Sequence, residues 1–432
     1  MRTLVFSLFI LTVAAVSANE KLVVCNYEAK AHLRQGQGQF GLHDLDEAIR
    51  YCNYLIYGYA AIDDKTFKLV PLNEQFDIMK DNYRLVTDLK RRYPKLKVLL
   101  SVGGNDDVTG SGDELNVKYR NILESTTHRL AFVNSAHTLI KGYDFDGLDL
   151  AWEFPETKPK KIKTGLKKAW NSFKSVFAGE HVVDANAEQH KEQFTALVKE
   201  LKAAFRPDNL KLSLTVLPNV NSTVYYDPRN LAPHLDFIAL HAFDFYTPHR
   251  NEHLADFPSP VYELIDRRVD ENVDAWVKYW LNNGAPANKL VLGIPTYGRT
   301  WHLQGEAKID EFPITDLEGP GEPGPLTKEA GLLSYPEICT KVTTRTTTPG
   351  GLTKISDGTK RRGVYAYRYP DKDDKGGVWI GYEDPETAAI KAQYVKNKGL
   401  GGIAIDDLTL DDFRGVCNNN KFAILKAAVA AM

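Results

Sequence analysis

Residues 145 to 155 read Phe145-Asp146-Gly147-Leu148-Asp149-Leu150-Ala151-Trp152-Glu153-Phe154-Pro155, an apolar run with the pattern of a buried β-strand. Side chains along a strand alternate between its two faces. Asp149, Ala151 and Glu153 therefore share one face, and Trp152 points the other way, toward covering helices. Carboxylates on one face at the end of a buried strand point to acid chemistry on a bound substrate. The middle place in that row is a methyl group. The sequence thus carries the frame of an active site with a central piece missing.

Seven further runs of the same kind flank this one. They are Leu22 to Tyr27, Tyr54 to Ile62, Lys97 to Gly104, Leu210 to Pro218, Asp236 to Phe245, Lys289 to Gly298 and Gly401 to Leu408. Most are too continuously apolar for half-exposed antiparallel strands, which predicts a parallel sheet covered on both faces. The stretches between them, such as Glu188 to Phe205 and Glu271 to Asn282, have helical spacing. Eight β-then-α units predict an α/β fold, a closed (β/α)8 TIM barrel. No G-x-G-x-x-G follows the first run, which argues against a dinucleotide-binding sheet.

The barrel is expected over residues 19–300 and 381–432, with a small α+β domain at 301–380 between the seventh and eighth strands. That interval is rich in Pro, Gly and Thr and contains the strand-like runs from Gly363 and Gly377. A second, lysine-rich insertion is expected at 156–187. Ile162, Leu166, Trp170, Phe173 and Phe177 fall there at helical spacing, and Lys158, Lys160, Lys161, Lys163, Lys167, Lys168 and Lys174 decorate it. A docked helix with a solvated lysine face accounts for this pattern. A surface that steers an anionic partner is the less favoured alternative.

The N-terminus sets the compartment. Arg2, the apolar run Leu4 to Val16 and the small residues Val16-Ser17-Ala18 form a secretory signal peptide, expected at 1–18. No later segment reaches the roughly 18 apolar residues of a membrane span, so no membrane insertion is expected. The exported chain is expected to be a monomer. Four cysteines suit that compartment and allow three pairings. Cys25 lies in the first predicted strand and Cys52 just before the second, which favours Cys25–Cys52 and leaves Cys339–Cys417. Neither zinc nor redox spacing is present, and Asn221-Ser222-Thr223 is an acceptor site for glycosylation. The balance of 54 basic against 56 acidic residues is not that of a nucleic-acid binder.

The run Asp146-Gly-Leu-Asp149-Leu-Ala151-Trp-Glu153 resembles the signature D-G-x-D-x-D-x-E of the family 18 glycoside hydrolases, the chitinases. Ser101-Val-Gly-Gly, Gly293-Ile-Pro-Thr-Tyr-Gly-Arg and Asp411-Asp-Phe-Arg-Gly resemble further motifs of that family, in the same order. The resemblance implies that Glu153 stands at the position of the acid that protonates the leaving oxygen. In that family the substrate's own acetamido oxygen attacks the anomeric carbon, outside the usual two-carboxylate scheme. Asp146 and Asp149 match the outer aspartates. Ala151 stands where the assisting aspartate orients the acetamido group, and losing such a group costs about 10²–10³ in rate.

Two more positions depart from the pattern. His241-Ala-Phe243-Asp244 stands where the family has M-x-Y-D, so the tyrosine hydroxyl is missing. Asp406 stands where a tryptophan forms the floor under the sugar, and a carboxylate close to Glu153 would favour protonation of one of the two. His241 with Asp244 and Asp406 makes a poor metal set, so neither metal nor cofactor is expected. Tyr297, Trp301 and Trp379, with Glu153, are candidates to hold a sugar, although aromatic residues are also ordinary packing material.

Ala151, Asp406, the run Phe243 to Pro248 and the lysine-rich insertion resemble the insect imaginal disc growth factors. That branch implies a secreted, catalytically inactive chitinase-like protein that promotes cell proliferation through a cell-surface receptor, with insulin as a co-factor of the activity. Glu153 is intact here, whereas some members of the branch lose it. A lectin for chitin oligosaccharides and a weak chitinase are the alternatives.

Overall fold

The computed structural model describes residues 21–110, 115–155, 158–159, 180–181, 184–265, 267–305, 307–342, 350–371 and 376–432. The signal peptide expected at 1–18 lies outside them. So does the helix expected from Ile162 to Phe177.

The eight predicted runs become eight parallel strands: β1 (Leu22–Glu28), β2 (Tyr54–Ile62), β3 (Lys97–Gly103), β4 (Gly147–Ala151), β5 (Lys211–Val216), β6 (Phe237–Leu240), β7 (Leu290–Pro295) and β8 (Gly402–Asp406). Each pairs with the next, and β8 pairs back onto β1, so the sheet closes into a (β/α)8 barrel. Outward residues such as Leu100, Leu148, Leu150 and Trp152 join the large core between strands and helices. Trp152 meets Tyr119, Phe132 and Phe194 edge-on or tilted, on the helices Val117–Glu124, Thr126–Gly142 and Ala187–Phe205.

The inward positions change character along the barrel axis. Val24, Ile56, Leu99, Phe237, Ala239, Val291 and Ala404 make an apolar plug within the strands. Further toward the C-terminal ends, the same strand parity brings Asn26, Glu28, Ser101, Asp149, His241 and Asp406. Water is excluded below and polar groups collect above, at the end where such barrels carry their sites.

A second, antiparallel sheet follows β7. Its strands, in spatial order, are Leu317–Pro320, Tyr297–Leu303, Val378–Tyr382, Val364–Arg368 and Thr353–Ser356, with Leu332–Ser334 also on Tyr297–Leu303. The run Lys289 to Gly298 is therefore not one strand. The barrel takes Leu290–Pro295 and the second sheet begins at Tyr297. Of the lysine-rich insertion, Lys158–Pro159 pairs with Glu180–His181 as a short antiparallel ladder.

Both expected disulfides are formed, Cys25–Cys52 and Cys339–Cys417, closing spans of 27 and 78 residues. Bridges over loops of this length contribute about 2–4 kcal/mol each. Among the described residues no helix is long and apolar enough to cross a membrane.

Candidate functional site

Register decides what surrounds the central strand. Ser101 of β3 and Ser213 of β5 both lie level with Asp149 of β4. Asp149 is buried and accepts hydrogen bonds from Ser101 Oγ (2.8 Å), Ser213 Oγ (2.6 Å) and Thr215 Oγ1 (2.9 Å). Burial raises its carboxyl above the ordinary range, and the three hydroxyls pull the other way. Asp149 is thus fully occupied by the barrel interior.

One place further up the same face, Ala151 lines a small void with Tyr59, Asp149 and Thr215. Its methyl supplies no hydrogen-bonding group to that void. Asp146 is not part of this cluster. It sits before β4, at the far end of the strand, where it accepts from the Val98 N–H and lies 3.2 Å from Lys97 and 3.4 Å from Lys90. Its role here is to pin the start of the strand.

Glu153 is 3% exposed and does not line either the void or the main cavity. One oxygen accepts the Asn105 N–H (2.5 Å) and the other accepts Asn116 Nδ2 (3.0 Å). The loop after β3 and the start of the helix Val117–Glu124 therefore hold the carboxyl. Burial pushes its pKa up from 4.5 to about 7; the Asn105 N–H opposes the rise and Asp107 adds to it.

A carboxyl raised by folding gives stability that is complete below its unfolded pKa and is lost as pH rises through the folded one. For Glu153 that window runs from 4.5 to about 7. Native stability should fall across it by about 3 kcal/mol more than that of Glu153→Gln, which cannot ionise. Urea unfolding of both proteins at a series of pH values measures this. Parallel pH profiles would rule it out.

The main cavity, of about 780 Å3, opens at the C-terminal ends of the strands between the barrel and the second sheet. Tyr59, Asn105, His241, Phe243, Asp244, Tyr297, Asp406 and Asp407 form part of its wall. Tyr59 and Glu28 line both this cavity and the void beside Ala151, so the two spaces adjoin; Phe243 and Asp406 line the cavity and Ala151 the void. Asp244, at φ 54°, receives Tyr297 Oη (2.9 Å) and two nitrogens of Arg299 (3.0 and 2.6 Å). That ion pair joins a barrel strand end to the second sheet.

Asp406 accepts Asn26 Nδ2 at 2.8 Å, and its other oxygen lies 3.8 Å from His241 Nδ1. Its carboxyl is raised, as expected, but for a different reason. Burial is the main cause; Glu28 and Asp244, not Glu153, are the carboxylates that add to it.

Trp301 and Trp379 are placed differently from the sugar-stacking expectation. Both are completely buried and meet edge-on, and Trp301 Nε1 donates to the Asn251 carbonyl. Cross-strand pairing of Trp301 with Trp379 makes them the core of the second sheet. Among the described residues no group of three or more His, Cys, Asp or Glu side chains is arranged to hold a metal.

Several wall residues carry no motif of their own. Tyr59 lies within the C-terminal half of β2, Asn105 and Asp106 on the loop after β3, and Lys30 just past β1. Lys30 bridges Asp106 (2.6 Å) and Glu28 (3.3 Å) across the rim. Their one sequence signal is position, since Lys30, Asn105 and Asp106 fall just beyond the end of a predicted barrel strand and Tyr59 in the second half of one.

The profile of the glycosyl hydrolases family 18 matches residues 22–411, and the chain belongs to that family. Within it the chain is similar to chitinase-like protein Idgf4 of Drosophila melanogaster, at 49% identity over 432 residues, covering 98% of this chain and 97% of that one. It is also similar to imaginal disk growth factor 6 of the same fly, at 46% over 425 residues, covering 96% and 94%. Among solved structures, human YKL-39, a pseudo-chitinase with retained chitooligosaccharide binding, superposes with a TM-score of 0.74 at 28% identity, covering 95% of this chain and 99% of that one.

Proposed function

We propose that this chain is a secreted, catalytically inactive chitinase-like protein that promotes cell proliferation through a cell-surface partner. The observation that carries the loss of catalysis is the state of Glu153. Both oxygens are taken by Asn105 and Asn116, and its neighbour on the strand face is Ala151. An acid held by protein donors, with no assisting aspartate on its strand face, supports the loss of substrate-assisted cleavage. Export is supported by the Leu4 to Val16 run, and the proliferative role by the similarity to imaginal disk growth factor 6.

One purified sample tests both halves. Incubated with N-acetylglucosamine oligomers, it should release no product. Added to insect disc cells, with and without insulin, it should raise cell number, and Glu153→Gln should do so equally. Product release that Glu153→Gln abolishes would make the chain an enzyme. Cells that ignore the protein under both conditions would remove the growth role.

A second reading is a lectin for chitin oligosaccharides. The cavity of about 780 Å3, with Tyr59 and Tyr297 in its wall, favours it, as does the sugar binding retained by YKL-39. Calorimetry with the same oligomers tests this reading, and absence of heat at millimolar ligand would count against it.

A further inference from the structure

The N-terminal ends of the strands, away from the cavity, carry charge that is not balanced. Lys211 begins β5, Asp236 precedes β6 and Lys289 precedes β7, so strand pairing sets these three side by side. Lys202, near the end of the helix Ala187–Phe205, lies 2.8 Å from Asp236, and Lys211 lies 3.3 Å from it. Lys289 Nζ donates to the Ala232 and Leu235 carbonyls, both at 2.7 Å. Lys199, about one turn before Lys202 on the same helix, is exposed and makes no hydrogen bond or ion pair among the described residues.

Four lysines thus share this corner with one carboxylate. Burial works to raise Asp236, but Lys202, the Leu212 N–H and Lys211 hold it below the ordinary range, so it is ionised. Carboxylates on the neighbouring strand and helix ends are already matched: Asp144 and Asp146 by Lys90 and Lys97, Asp208 by Lys141, and Glu200 by Arg129. His234 registers the surplus. Burial lowers its pKa most, Lys199, Lys289 and Lys202 lower it further, and no carboxylate offsets them. Folding alone explains Lys202, which faces the negative end of its helix, and Lys289, which meets two carbonyls. It does not explain Lys199.

We infer that this corner of the barrel binds a sulfated polysaccharide outside the cell. The inference rests on the export proposed above, because such polymers are extracellular. Sulfates repeat along their chains, so one polymer meets several lysines at once, and clustered positive charge speeds its approach. Each ammonium is a compact point charge with three donors, which suits a sulfate without demanding a fixed geometry. Phe205, Leu235 and Leu290, the large apolar side chains here, are turned inward. The corner therefore offers charge without an apolar group to enter lipid, which favours a polymer over a membrane. Bound in this way, the protein keeps its cavity open at the other end of the strands.

Binding of the native full chain to immobilised heparin, at an ionic strength of about 0.15 M, tests this. Heparin should bind and heparin stripped of its sulfates should not. Lys199→Glu and Lys289→Gln should each weaken binding, and together by at least about tenfold. Lys199→Glu, at an exposed side chain with no partner, should keep a native melting temperature. Lys308→Glu, on the inserted second sheet's side, changes net charge by the same amount and should bind like the native chain. No binding, or native affinity in Lys199→Glu, overturns the inference. An equal loss in Lys308→Glu means diffuse attraction and overturns it too. Vesicles of phosphatidylserine and phosphatidylcholine that bind the chain when heparin does not make the corner a membrane contact, which also overturns it. The measurement uses no cells, so its failure leaves the growth reading as it stands.

Discussion

Chitin oligosaccharides should leave the native protein uncut, whereas the variant carrying Ala151→Asp, Phe243→Tyr and Asp406→Trp together should cleave them at least about 10²-fold above that background. Each substitution supplies a different part of one step. An aspartate at 151 would stand above Asp149, next to the void that Tyr59 and Thr215 line, and would orient and stabilise the attacking acetamido group. A tyrosine at 243 would return a hydroxyl donor to the cavity wall. A tryptophan at 406 would give a sugar ring a face to lie on, and a cavity of about 780 Å3 has room for it.

Glu153 must also leave Asn105, and an aspartate two residues before it gives it an alternative partner. Burial already raises its carboxyl to about 7 in the native protein, and losing the Asn105 N–H and gaining a neighbouring carboxylate raise it further, so it suits an acid that must be protonated when it acts and turnover should fall on the alkaline side. Reducing-end assays over pH, with the Glu153→Gln quadruple variant as control, measure all of this. A folded but inert triple variant would mean that the hold of Asn105 and Asn116 on Glu153, and not the three side-chain losses, is what silences the site.

The barrel was readable because burial on both faces writes itself into each strand as a continuous apolar run. Phe145 to Pro155 also announced its inward face by strict alternation, and Trp152 went where that parity put it. Alternation says which face a residue takes but not how far along the barrel axis it lies. Asp146 matches the family signature and not that face, since its parity is that of Trp152, and it pins the start of β4 to Lys90 and Lys97.

The conformation of Glu153 was not readable either. It depends on Asn105, at φ 66°, and on Asn116, on a loop and helix start far from Glu153 in sequence. Trp301 and Trp379 misled for a further reason. A large aromatic at a predicted rim reads the same whether it faces a ligand or another tryptophan, and only the pairing of Tyr297–Leu303 with Val378–Tyr382 separates the two. The nearness of His241 to Asp406, from strands β6 and β8, is likewise a property of barrel closure.

The loop that captures Glu153 is itself fixed by a buried ion pair, and breaking that pair should be the most destabilising single change near the site. Asp107 receives Lys118 Nζ (2.5 Å), Tyr119 Oη (2.8 Å) and the Ile62 N–H (2.9 Å), and the side chains of Asp107 and Lys118 are only 5% and 3% exposed. Removing one partner of such a pair leaves a bare charge where water cannot reach it, so Asp107→Ala should cost about 3–5 kcal/mol in urea unfolding. Lys118→Met should cost a similar amount, because Asp107 then keeps its charge alone.

Asp107→Asn with Lys118→Met removes both charges and retains an acceptor for Ile62, and should lose much less than the sum of Asp107→Asn and Lys118→Met measured singly. Asn105 and Asp106 immediately precede Asp107, so loosening this anchor should also release the Asn105 N–H from Glu153. Amide exchange at Asn105 should quicken in Asp107→Ala under native conditions and stay slow in the double variant. Additive costs in the double variant would show the two side chains to be independent. Unchanged exchange at Asn105 would show that the hold on Glu153 does not depend on this pair.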